Sequence, residues 1–134
     1  MTSTNTPRTP TLVVAHTAFG HFSHGLATGA WEPFLSMLAD DFTFYFPVGQ
    51  YHGAHTGMAK AREFFAYVHS VFPGGLAVTL DRVMSNETTV VFEFRDEGEM
   101  RGAPYRNRVA VSFDVRGEQI AGYREYFGSD GTSY

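Results

Sequence analysis

The sequence predicts an α+β fold: a curved antiparallel sheet wrapped around three helices of the N-terminal half, a cone-shaped barrel with a central pocket. Three observations predict it. Up to Phe72, three segments space their apolar residues by three and four, the helical period. From Leu76 to Phe127, four segments carry the period of two that belongs to strands. Glycine and proline turns separate the segments, and 134 residues suffice for one domain.

The elements follow in order. Residues 1–11 are polar with two prolines and read as a disordered leader, with Thr11 as the N-cap of the helix that follows. Leu12, Ala15, Phe19, Phe22 and Leu26 form one helical stripe, ended by Gly29. Trp31 to Ala39 reads as a second short helix, with Pro33 in its first turn and Trp31, Phe34, Leu35 and Leu38 on its buried side. Phe42, Phe44 and Phe46 alternate as the inner face of a strand, and residues 50–53 form a short return strand or a loop. Met58 to Phe72 is the third helix, terminated by Pro73-Gly74-Gly75. The meander then runs through Leu76–Met84, Thr88–Glu97, Pro104–Arg116 and Gln119–Phe127. Residues 12–128 form the domain, and 129–134 read as a frayed tail.

Composition narrows the function. Net charge is −4 and no basic run occurs, which argues against nucleic acid and anionic membranes as partners. With no cysteine there is no disulfide and no thiolate metal site. No apolar stretch reaches the length of a membrane helix, and the N-terminus lacks a signal-peptide pattern, so the expected location is cytoplasmic. His21 and His24 lie three apart on the first helix, where a solvated polar face explains them better than a metal site. Aromatic residues make up 16% of the chain, more than a minimal core needs, which points to a large apolar pocket or an aromatic interface.

The long strands place Val90, Phe92 and Phe94 on one face, and Tyr105, Asn107, Val109, Val111 and Phe113 on one face of their neighbour. Glu93 and Arg95 point the other way and read as members of outward salt bridges. In the last strand, alternation sends Arg124 and Glu125 to opposite faces without saying which is inner. Val91, Ala110, Ser112, Gly122 and Tyr126 mix with charges on the outer face, from which a homodimer is expected.

The stretches GAWEPFLSMLADDFTFYFPVG, YHG and GAPYRNRVAVSFDVRGEQIAGYREYFG, in this order and spacing, resemble the SnoaL-like and ketosteroid-isomerase-like proteins of the nuclear-transport-factor-2-like superfamily. The resemblance covers most of residues 12–128. It implies that Glu125 faces the pocket and Arg124 the outside. It also implies that Phe92, Phe94, Tyr105, Asn107, Tyr123 and Phe127 line the cavity, with Tyr51 and His52 at its mouth. Steroid isomerases of this group use a base carboxylate before the PVG turn, a helical tyrosine and a protonated aspartate. The matching positions here are Phe46, Phe22 and Val111, all apolar, so the resemblance argues against ketosteroid isomerase activity. Phenazine-biosynthesis proteins of this fold carry an acid/base glutamate in a terminal stretch similar to Arg124-Glu125-Tyr126. The Asp-Arg-Asp set of limonene epoxide hydrolases has no complete copy here.

A carboxyl among Phe22, Phe46, Phe92, Phe94 and Phe127 is poorly solvated, so its pKa rises toward neutrality and it can serve as acid and base. Glu125, Asn107 and Tyr105 are therefore the expected catalytic residues, Glu125 as acid/base and the other two as hydrogen-bond donors to a carbonyl or hydroxyl of the ligand, and no cofactor is required. The expected function is acid/base chemistry of isomerase, cyclase or dehydratase type on a small apolar oxygenated molecule. The alternatives are a ligand-binding module without catalysis and an interaction subunit with the same fold.

Overall fold

The computed structural model describes residues 9–128; the expectations for residues 1–8 and 129–134 lie outside the described residues. Its helices are α1 (Pro10–Thr28), α2 (Glu32–Leu35) and α3 (Met58–Val71). Its strands are β1 (Leu38–Phe46), β2 (Gly53–Thr56), β3 (Leu76–Ser85), β4 (Thr89–Met100), β5 (Ala103–Arg116) and β6 (Gln119–Gly128). The six strands form one curved, unclosed sheet in the order β2-β1-β6-β5-β4-β3.

Helix α1 starts earlier than its apolar stripe. Thr9, not Thr11, is the cap: its Oγ1 accepts from the Leu12 amide at 3.2 Å, and Pro10 fills the first helical position, where no amide is needed. Thr11 instead donates its hydroxyl proton to the Glu87 carbonyl at 2.8 Å, which ties the helix start to the β3–β4 turn. Residues 9–11 thus belong to the domain and not to a leader. Thr9→Ala is expected to cost about 1 kcal/mol, read as a lower urea midpoint at unchanged slope. At the other end Gly29, at φ 82°, closes the helix by donating to the Gly25 carbonyl at 2.8 Å.

The second helix is one turn long, because Leu38 leaves it to begin β1. Leu38 pairs with Ile120, and the Ile120 amide donates to the Met37 carbonyl at 2.8 Å. Trp31, Phe34, Leu35 and Leu38 are all buried as their spacing implied, but a sheet partner took the segment out of the helix. The return segment after β1 is a single 3₁₀ turn, Gly49–Tyr51, followed by β2.

The sheet is mixed rather than wholly antiparallel. Strand β1 runs parallel to β6, with Phe44 beside Tyr123, while the other four pairings are antiparallel. The register aligns inner residues into rows: Val90, Phe113 and Tyr123; Phe92, Val111 and Glu125; Phe94, Val109 and Phe127. The outer face carries the ion pairs. Glu93 accepts from Arg82 at 2.7 Å, and Arg95 binds Asp81 at 2.9 Å, each across the β3–β4 ladder. Arg124 points outward and grips Asp114 with two nitrogens, at 2.9 and 2.7 Å.

The core lies between this sheet and the helices. Phe22 is its hub, in ring contact with Phe19, Trp31, Phe34, Phe94, Phe113 and Tyr123. No helix among the described residues is long and apolar enough to cross a membrane.

Candidate functional site

The inner face of the sheet is divided in two. Against α1 it is filled. Phe92 stacks on Phe19 with ring centroids 4.4 Å apart, His16 meets its edge, and Val111 is fully buried beside it. Further along the strands, a cavity of about 600 Å³ opens between the sheet, α3 and the loop at residues 47–50. That volume suits a small organic molecule.

Of the residues singled out in the sequence, Phe22, Phe46, His52, Phe94, Tyr105, Tyr123, Glu125 and Phe127 line the cavity. Four do not. Phe92 and Val111 are spent on packing against α1. Tyr51 turns toward α3, where its hydroxyl donates to Glu63 at 2.6 Å; that bond, then burial, then the carboxylate's charge push its pKa up to about 12. Asn107 is 2% exposed and consumed locally: its Nδ2 donates to the Tyr105 hydroxyl at 3.0 Å and its Oδ1 accepts from the Arg108 amide at 2.8 Å. It positions Tyr105 rather than meeting Glu125.

Glu125 sits on the cavity wall with Tyr123 two residues before it on the same strand face. The Tyr123 hydroxyl donates a short hydrogen bond to Glu125 Oε1. Burial raises the Glu125 pKa to about 8; the Tyr123 hydrogen bond opposes the rise and the Asp96 charge adds to it. Tyr123 itself is held well above the ordinary phenol range, first by burial and then by the Glu125 charge.

Asp96 is the site residue that the sequence reading missed. It is 5% exposed, lines the cavity and pairs in register with Asn107. Burial lifts its pKa to about 7, against a backbone hydrogen bond that lowers it. Its Oδ1 has no hydrogen-bond partner among the described residues. The signal was present: the inward series Val90, Phe92, Phe94 reaches Asp96 after one more step of two. Neither Asp96 nor Glu125 forms an ion pair among the described residues. The only charged guanidinium on the described lining is Arg101, on the exposed β4–β5 turn. No group of three or more metal-ligating side chains occurs among the described residues.

Three helices packed on a curved, unclosed six-stranded sheet define the nuclear-transport-factor-2-like, or cystatin-like, α+β fold. The chain belongs to the SnoaL-like domain family, whose model matches residues 19–123. It is 60% identical to a nuclear-transport-factor-2-like protein of Anabaena variabilis over 98% of this chain and 96% of that one, with a TM-score of 0.89. It shares its fold with a putative SnoaL-like polyketide cyclase of Jannaschia at 21% identity, 92% and 91% coverage and a TM-score of 0.75. An LEH-like epoxide hydrolase of M. tuberculosis is similar at 21% identity, 90% and 83% coverage and a TM-score of 0.71. No curated protein matches the sequence.

Proposed function

We propose that the cavity binds a small, mostly apolar, oxygenated molecule and that Glu125 moves a proton to or from it without a cofactor. The observation that carries this reading is a carboxyl on the wall of an aromatic cavity, with one oxygen held by Tyr123 and no ion pair among the described residues. Near neutral pH such a group populates both its acid and its base form, which is what general acid/base work requires. Tyr123 fixes the carboxyl's orientation, and Tyr105, aligned by Asn107, adds a second hydroxyl to the cavity wall. The same fold is found in a putative polyketide cyclase of Jannaschia and an LEH-like epoxide hydrolase of M. tuberculosis, so an enzymatic use of the cavity has parallels within the fold. Apolar residues at positions 22, 46 and 111 argue against steroid isomerisation.

The test is proton exchange at carbon. A bicyclic ketone such as 2-tetralone, incubated with the protein in heavy water, is expected to lose its α-protons faster than in buffer, followed by proton NMR. Glu125→Gln is expected to lower that acceleration by about 10²- to 10⁴-fold. Equal exchange by both proteins would remove the acid/base role and leave a binding module.

A further inference from the structure

Resting on the reading of this cavity as a ligand site, we infer that its ligand carries a positively charged nitrogen, and that Asp96 with the surrounding aromatic rings is the subsite that receives it. Buried carboxyls in folded proteins are paired with a cation or fully hydrogen-bonded, because an isolated one costs several kcal/mol. Glu125 has its donor in Tyr123. Asp96 lines the cavity at 5% exposure, and its Oδ1 is buried with no hydrogen-bond partner among the described residues.

The cavity's donors do not reach that oxygen. Tyr123 is committed to Glu125, and the Asn107 amide to Tyr105. The remaining titratable groups on the lining are His52, Arg101, Tyr67 and Tyr105, and none is hydrogen-bonded to Asp96 Oδ1. The inner wall therefore offers acceptors and ring faces. Aromatic faces carry negative charge density and attract ammonium groups, most strongly when water is excluded. Phe94 precedes Asp96 by two on the inner face of β4, and Tyr105 packs against Phe72 with centroids 4.9 Å apart. An ammonium group would give Asp96 its missing donor and neutralise its charge. A carboxylate or phosphate would meet two acidic groups instead. Asp96 is then the specificity determinant, while Glu125 remains free for the proton transfer proposed above.

Three matched probes test this: 2-phenylethylamine, 2-phenylethanol and 3-phenylpropanoate, titrated by calorimetry at pH 6.5, where the Asp96 carboxyl still holds its proton in most molecules. The amine is expected to bind at least tenfold tighter than the alcohol, and the acid not at all. Because a cation favours the charged carboxyl, amine binding is expected to release protons, seen as a buffer-dependent heat, whereas the alcohol releases none. Asp96→Asn is expected to abolish the tenfold preference and the proton release while leaving alcohol binding intact, which shows that the variant keeps its cavity. Equal affinity for amine and alcohol, or a preference that survives in Asp96→Asn, would overturn the cation subsite and leave the ligand-site reading standing. Binding of none of the three would overturn both.

Discussion

Glu125→Gln is expected to make the protein more stable at pH 8.5 than the wild type and to make its stability profile shallower between pH 5 and 8.5, with the Asp96 contribution remaining. Burial raises the Glu125 pKa from 4.5 to about 8 in the native state. Below the unfolded value both states are protonated, and the native state buries no charge. As pH rises, the unfolded chain releases its proton first and the native state follows only near pH 8. Stability is therefore greatest in mild acid and falls through this window, by on the order of 4–5 kcal/mol at about 1.4 kcal/mol per pKa unit. Asp96, raised from 3.8 to about 7, acts in the same direction. Its charge interacts with that of Glu125, so the two losses do not simply add. Asp41, Asp81 and Asp114 have lowered values through their arginine partners and lose their contributions only in stronger acid, outside the window. Urea midpoints of wild type and variant at pH 5 and pH 8.5 decide the matter. A wild-type midpoint equal at both pH values would mean that Glu125 is solvated in the native state.

Phe34→Ala is expected to cost about 3–5 kcal/mol, a large part of the stability of a domain this size. The side chain is fully buried, and its ring meets Phe22, Phe65 and Phe113 at 5.5, 5.4 and 5.8 Å. It joins α2 to α1, α3 and β5, so alanine leaves a void that three elements cannot close together. Phe34 does not line the cavity, so the loss is one of packing and not of a ligand site. Guanidinium unfolding measures it, and Phe34→Leu is expected to recover most of the deficit. A loss below about 1 kcal/mol would show that the aromatic cluster repacks around the gap.

The fold was legible where local period and tertiary role agree. Alternation in β4 and β5 put Phe94 and Tyr105 on the inner face, and in β6 the family resemblance chose the face of Tyr123, Glu125 and Phe127 over that of Arg124. What alternation does not show is depth along a face. Phe92 and Val111 share that face with Phe94 and Tyr105, yet α1 covers the first two and leaves the others on a cavity. Asn107 was read as reaching for a ligand because nothing in its spacing shows that Tyr105 would use its amide. Asp96 continues the inward series one step beyond its apolar members, and a buried carboxyl with one orphaned oxygen breaks the apolar pattern by which such a series is recognised. At α2, Leu38 obeys the helical spacing and is buried, but the β6 backbone recruits it into a strand.

The parallel seam between β1 and β6 has a consequence for how the chain matures. Residues 38–45 find their neighbours at 120–124, near the opposite end of the polypeptide. Such distant closure is slow relative to hairpin formation, since a long loop must be ordered before the pairing rewards it. During synthesis the β3–β4–β5 meander can zip by local turns, whereas β1 and β2 wait as an open edge until the last strand emerges. The final strand is thus both the keystone of the sheet and the bearer of Glu125. Glu125 therefore joins the cavity wall only as the sheet is completed.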